Sequence, residues 1–227
     1  MRPFAATEIV VFDAYGTLFD FASAARRVAD ELGGRGQALT ELWRAKQIEC
    51  TWHRSLTGHH ADFQLVTGEA LDYALAALGI RAPGLRERLM ALYLALDPFP
   101  DARSTLETLK RAGKRIAILS NGSPAMLAAL VAAADFGGLL DAVISVERAG
   151  IFKPHPASYR LACTEFGVDP QAIAFVSANG WDCCGASVFG FRCVKVQRSV
   201  APPEPLPGAA EHVVASLTDI LPIMEVL

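Results

Sequence analysis

Long apolar runs are missing from this sequence, and so is any block of charge of one sign. No apolar stretch reaches the roughly 18 residues that a bilayer-spanning helix needs, so a membrane partner is not expected. Lys and Arg total 21 against 24 Asp and Glu, a net charge of −3. That leaves no basic face for nucleic acid or an anionic membrane. Cysteine is sparse: Cys50, Cys163, Cys183, Cys184 and Cys193 make an odd five, with no Cys-x-x-Cys. A disulfide framework or structural zinc site is therefore not expected, and reduced thiols in a cytoplasmic protein fit. His53, His59 and His60 cluster without a carboxylate or cysteine at ligand spacing, so they read as a solvated helix end and loop. Residues 1–8 run directly into an apolar strand without a signal-peptide pattern.

What is present suits a sizeable core. The 227 residues are 52% hydrophobic and 20% charged, enough for one large domain or a core domain with an insertion. Short, continuous, β-branched runs read as strands buried on both faces: residues 9–12, 115–119, 142–145, 173–177 and 193–196, with 212–214 as a final edge strand. Helical stretches separate them. One, at 102–112, carries Leu106 and Leu109 and stops at Gly113. Another, at 124–134, follows Ser123 as N-cap, with Pro124 at the first helical position. A third, at 156–166, stops at Gly167. This alternation implies a parallel sheet with helices on both faces, a doubly wound α/β fold.

One interval breaks the pattern. Residues 20–97 contain amphipathic stretches at 39–56 and 69–78 but no convincing strand, and the interval is too long for an ordinary crossover. It reads as an inserted helical cap above a core formed by residues 1–19 and 98–227. Pro98 and Pro100 mark the return, and the proline-rich 201–208 segment reads as a rigid loop.

Ligands of open parallel sheets bind beyond the carboxyl ends of the strands. Four strand ends here carry polar residues: Asp13-Ala14-Tyr15-Gly16-Thr17, Ser120-Asn121-Gly122, Gly150-Ile151-Phe152-Lys153-Pro154, and Ser177-Ala178-Asn179-Gly180-Trp181-Asp182. Singly, each has a plain alternative. Asp13 can be a turn residue, Ser120 and Asn121 helix caps, Lys153 a surface lysine and Asp182 a cap. Together on one sheet edge they suit nucleophilic catalysis by Asp13. A carboxylate becomes a useful nucleophile when positioned and partly dehydrated. Thr17, Ser120, Asn121 and Ser177 can orient it, Lys153 can hold it ionised, and Asp182 can fix Lys153.

These motifs resemble the haloacid dehalogenase superfamily over essentially the whole chain, including the cap after the first motif. The resemblance implies a HAD-like, Rossmann-like core. Most superfamily members are magnesium phosphatases with Asp-x-Asp-x-Thr in the first motif. Here Tyr15 replaces the second carboxylate, and the last motif holds one acid, Asp182. Too few hard oxygen ligands remain for magnesium, and nothing obvious protonates an alkoxide leaving group. A halide leaves without protonation. The chain is similar to the L-specific (type II) 2-haloacid dehalogenases in Phe12-Asp13-Ala14-Tyr15-Gly16-Thr17-Leu18, in Leu42-Trp43-Arg44-Ala45-Lys46-Gln47, in Thr51-Trp52-His53-Arg54-Ser55-Leu56 and in the Ser177–Asp182 segment.

That resemblance implies hydrolysis of (S)-2-haloacids to (R)-2-hydroxyacids and halide through an Asp13 ester, with no metal or other cofactor. A phosphatase acting on a small phosphorylated metabolite is the alternative. Arg44 is then the cap arginine that meets the departing halide, against the plain reading of a surface helix residue. Thr17, Ser120, Lys153, Tyr159, Ser177, Asn179 and Asp182 fall in the matching motifs. Backbone amides of Tyr15 and Gly16, with Ser120 and Asn121, would cradle the substrate carboxylate. Tyr15, Ile48, Phe63 and Trp181 would wall the substituent and halogen, with ordinary core packing as the other reading of Ile48 and Phe63. A homodimer through the cap helices is compatible, though no sequence feature demands it. Cys183 and Cys184 read as buried helix residues and His155 as a loop residue.

Overall fold

The computed structural model describes residues 4, 7–198 and 202–226. The chain runs β1 (Ile9–Phe12), then helices α1 (Ser23–Arg26), α2 (Ala29–Leu32), α3 (Gly36–Thr57), α4 (Phe63–Ala77), α5 (Leu85–Tyr93) and α6 (Ala102–Arg111). It continues through β2 (Arg115–Ser120), α7 (Pro124–Ala133), β3 (Ala142–Ser145), α8 (Pro156–Phe166), β4 (Ile173–Ser177), α9 (Gly180–Phe189), β5 (Arg192–Val196), β6 (His212–Val214) and α10 (Ile220–Ile223). The strands form a single sheet in the order β3-β2-β1-β4-β5-β6, and every pairing is parallel. This is the doubly wound α/β fold expected from the strand–helix alternation.

β1 is buried along its whole length and lies between β2 and β4. The chain winds outward from β1 through β2 to β3, then crosses back to β4 on the other side. That reversal opens a crevice beyond the carboxyl end of β1, the place where open sheets bind ligands. Register puts Phe12 beside Ile118 of β2 and Val176 of β4. Asp13, Ser120 and Ser177 therefore emerge at adjacent strand ends.

Local signals set most boundaries. Ser123 caps α7 by accepting from the Met126 N–H, with Pro124 in the first turn. His155 caps α8: its Nδ1 accepts from the Ala157 N–H at 3.2 Å. α3 ends on Gly58 in the left-handed conformation, φ 71°, whose N–H closes on the Arg54 carbonyl. A β-carbon would be strained there.

The expected helix at 69–78 is longer, starting at Phe63. Val66, Thr67 and Gly68 are poor helix formers, but Asp62 accepts from the Gln64 N–H at 2.6 Å, and Val66, Ala70, Leu71 and Ala74 are buried. Capping and burial outweigh propensity. α5 and the one-turn α1 and α2 lie in stretches whose periodicity does not stand out.

The ends of the 20–97 interval meet. The Asp20 N–H donates to the Asp97 carbonyl at 2.8 Å, and Phe19 pairs with Pro98. Of the clustered histidines, His53 and His59 are exposed as expected. His60 departs from that reading. It is half-buried, its Nε2 lies 2.9 Å from Glu147 Oε2, and its ring packs on Phe152 at 4.6 Å. The folded chain brings residues 60 and 147 together, which local composition cannot reveal.

Cys183 and Cys184 are buried on α9, and all five thiols are free. Among the described residues no helix is long and apolar enough to cross a membrane. The signal-pattern reading rests mostly on residues 1–3, 5 and 6, which lie outside the described residues, as does Ala201 of the proline-rich loop.

Candidate active site

Asp13 follows β1 directly and is 5% exposed. Both of its carboxylate oxygens are held. Oδ1 accepts from Lys153 Nζ at 3.2 Å. Oδ2 accepts from Asn179 Nδ2 at 2.7 Å and from the Thr17 hydroxyl at 3.1 Å. Thr17 Oγ1 in turn accepts from the Ala178 N–H at 2.8 Å, tying the β1 and β4 ends together. Hydrogen bonds of this kind fix the orientation of the carboxyl group.

Lys153 is buried beneath this carboxylate and spans to a second one. Its Nζ lies 3.0 Å from Asp182 Oδ2 and 4.9 Å from the centroid of the Phe175 ring. Burial opposes its charge, but Asp13 and Asp182 outweigh burial and hold its pKa above the ordinary lysine value. Asp182, on the first turn of α9, is fully buried and accepts from the Tyr159 hydroxyl at 2.8 Å. Burial pushes its pKa up to about 6; the Lys153 charge and the Tyr159 hydrogen bond pull downward, and Asp13 adds to the rise.

The second strand end supports Lys153 from the backbone side. Asn121 Oδ1 accepts from the Lys153 N–H at 2.9 Å. Ser120 Oγ accepts from the Gly122 N–H at 3.2 Å. Ser177 Oγ accepts from the Asn179 N–H at 3.1 Å. Ser177 thus reaches Asp13 through Asn179.

Arg44 is not a surface residue. From α3 its Nη2 reaches toward the Tyr15 carbonyl at 3.4 Å and Asn179 Oδ1 at 3.5 Å, and its guanidinium lies 5.3 Å from the centroid of the Phe21 ring. Asp13, Tyr15, Arg44, Ile48, Thr51, Phe63, Ser120, Asn121, Lys153 and Trp181 enclose one cavity of about 10 Å³, room for a single water. Ile48 and Phe63 line this space. Tyr15 is buried against Phe63 and Tyr93, with centroids at 5.7 and 5.3 Å, and burial first, then Tyr93, pushes its phenol pKa well up. It is a neutral wall at physiological pH.

One expectation needs correction. The Gly16 N–H donates to the Phe19 carbonyl at 2.7 Å, so this amide is committed to its own turn and is not a cradle for a substrate. Gly16 serves conformation instead: φ is 87°, and a β-carbon would meet Phe21 at 3.3 Å. Three participants escaped the sequence reading: Phe21, Thr51 and Gln47. Gln47 stands one turn beyond Arg44 on α3 and accepts from it; spacing of three on a helix was the available signal. Phe21 had none, because it follows a turn.

A magnesium site of the phosphatase kind does not fit these residues. The two buried carboxylates are bridged by the Lys153 ammonium and hydrogen-bonded by Asn179, Thr17 and Tyr159. Among the described residues no three His, Cys, Asp or Glu side chains are grouped to hold a metal ion.

Fold and site together define an α/β protein with a buried, hydrogen-bonded carboxyl group at the carboxyl edge of a parallel sheet. A family model described as a haloacid dehalogenase-like hydrolase matches residues 7–190. The chain is 45% identical over 215 residues to the (S)-2-haloacid dehalogenase 4A of Burkholderia cepacia, covering 94% of this chain and 93% of that protein. It is 48% identical over 190 residues to an (S)-2-haloacid dehalogenase of Xanthobacter autotrophicus, covering 83% and 74%. The solved structure of the L-2-haloacid dehalogenase from Xanthobacter autotrophicus with chloropropionic acid covalently bound superposes with a TM-score of 0.89 at 40% identity, covering 96% and 98%. The chain belongs to the haloacid dehalogenase-like hydrolases, in the family of the L-2-haloacid dehalogenases.

Proposed function

We propose that this protein hydrolyses (S)-2-haloacids such as haloacetate and L-2-chloropropionate to (R)-2-hydroxyacids and halide. The observation that carries this reading is the Asp13 carboxyl group, held by hydrogen bonds from Lys153, Asn179 and Thr17, with Tyr15 where a phosphatase needs a second acid.

In the first step an Asp13 oxygen attacks C2 from the side opposite the halogen. The carbon–halogen bond breaks, its electron pair leaves with the halide, and an Asp13 ester forms with inversion. Arg44 meets the halide; its weakly hydrated, permanently charged fork suits a soft anion. Water then adds to the Asp13 carbonyl carbon, giving one proton to the Asp182 carboxylate of the Lys153–Asp182 pair; the bond from that carbon to the substrate oxygen breaks, the hydroxyacid leaves carrying the second proton, and the Asp13 carboxylate is restored, with Ser177 and Asn179 assisting. Ser120 and Asn121 hold the substrate carboxylate; Ile48, Phe63 and Trp181 confine its substituent. Positioning of this kind supplies up to about 7–11 kcal/mol. No step calls for a cofactor.

Arg44, Ile48, Thr51 and Phe63 line the same cavity as Asp13, which supports residues 20–97 acting as a cap over the 1–19 and 98–227 core. Pairing at Phe19 and Pro98 supports those boundaries. Leu65 and Tyr73, about half exposed on α4, support a homodimer through the cap, and the free thiols support a cytoplasmic location. The deciding experiment is halide release from fluoro-, chloro- and bromoacetate and both 2-chloropropionate enantiomers, with EDTA present. Activity on a phosphate ester alone would transfer the site to the phosphatase reading.

A further inference from the structure

Arg44 has one short hydrogen bond among the described residues, and it is not to the reaction centre. Its Nη1 donates to Gln47 Oε1 at 2.7 Å, while its reaches to Tyr15 and Asn179 are 3.4 and 3.5 Å. Its Nε is buried with no hydrogen-bond partner. Gln47 is 1% exposed and stands behind Arg44, outside the wall of the cavity that Asp13 faces.

The orientation of the Gln47 amide is forced by its other neighbours. Thr67 Oγ1 spends its proton on the Phe63 carbonyl at 2.6 Å, so toward Gln47, 2.7 Å away, it can only accept. The group facing it must be the Gln47 NH₂, which also lies 3.2 Å from the Tyr93 oxygen. With the nitrogen committed, Oε1 is turned to Arg44. A fixed chain runs from the Phe63 carbonyl through Thr67 and Gln47 to the guanidinium.

We propose that Gln47 is a positioning residue for halide departure: it aims the Arg44 fork through Nη1 while leaving its positive charge uncancelled. The choice of an amide matters physically. A carboxylate at this spot would hold Arg44 equally well but neutralise it, weakening its pull on a developing halide. This inference rests on the dehalogenase reading.

The test uses the full chain with Gln47→Glu and Gln47→Met, following single-turnover halide release from chloroacetate and bromoacetate, inhibition by added chloride, and thermal unfolding. For Gln47→Glu, release from chloroacetate falls by about ten- to a hundredfold. Release from bromoacetate falls less, because the better leaving group leans less on Arg44, and the chloride needed for half-inhibition rises. KM changes little. Gln47→Met moves all three readouts in the same direction to a smaller extent. Equal losses for both halides, with unchanged chloride inhibition, would make Gln47 a packing residue and overturn the proposal. Wild-type protein inactive on both haloacetates would instead sink the dehalogenase reading, and this inference with it.

Discussion

Lys153 donates to Asp13 across 3.2 Å in a region where their side chains are only 1% and 7% exposed. The same ammonium sits 3.0 Å from Asp182, so one cation compensates two buried carboxylates. Replacing Lys153 with Met leaves both acids unpaired. The expected loss of stability is about 3–5 kcal/mol at pH 8. It shrinks at pH 5, below the Asp182 pKa of about 6. Urea unfolding at the two pH values checks the sign.

Asp182 should impose an acid limb on activity near its pKa of about 6. The charged form is the one that anchors Lys153, so single-turnover rates fall below that pH. The Tyr159 hydroxyl donates to Asp182 and lowers its pKa; Tyr159→Phe therefore moves the limb to higher pH. Stability runs the opposite way. An acid whose folded pKa is raised above its unfolded value stabilises the protein below about pH 4 and loses that contribution as pH rises through about 6. A pH–rate profile showing the same limb in wild type and Tyr159→Phe would remove Asp182 from the assignment.

Asp13→Asn should abolish product formation while preserving the fold, since Asn is isosteric and Thr17 and Asn179 remain. Single turnover of wild type in heavy-oxygen water should label Asp13 and leave the first hydroxyacid unlabelled. Label appearing directly in that product would mean water attacks C2 itself.

Gly122 sits against the Tyr15 ring. A β-carbon there would lie 2.9 Å from the Tyr15 hydroxyl and 2.9 Å from Leu127 Cδ2. Gly122→Ala should push Tyr15 into the cavity and destabilise the fold by about 1–3 kcal/mol. The kcat/KM for 2-chloropropionate should drop more than that for chloroacetate, because the added methyl needs the space Tyr15 takes.

Glu147 fastens the start of α4 to the core. Its Oε1 accepts from the Phe63 N–H at 3.1 Å and its Oε2 meets His60 at 2.9 Å. Glu147→Ala should speed hydrogen exchange at the Phe63 amide and raise KM, since Phe63 is a cavity wall. Unchanged exchange there would show that α4 is held by its apolar face alone.

Several parts of this molecule were legible in its sequence. The β-branched run at 9–12, the caps at Ser123 and Gly167 and the order of polar strand ends follow from rules that act over a few residues. Others were not. Without the family resemblance Arg44 reads as a surface helix residue until α3 is laid over the sheet, and the Gln47 amide acquires an orientation only from Thr67 and Tyr93. The Gly16 amide reads as a free donor until the turn at Phe19 takes it. His60 reads as solvated until Glu147, 87 residues away, arrives beside it.

The sequence by itself determined the elements and the chemical inventory, because strand and helix periodicity and turn chemistry are local and each motif carries its own reactive group. It also placed Tyr15 where a second acid would stand. Only the tertiary structure decided how those groups share charge. Lys153 between Asp13 and Asp182, and the Gln47 amide turned to Arg44 by Thr67 and Tyr93, exist because the fold brings side chains distant in sequence into buried space, where electrostatic interactions are strong.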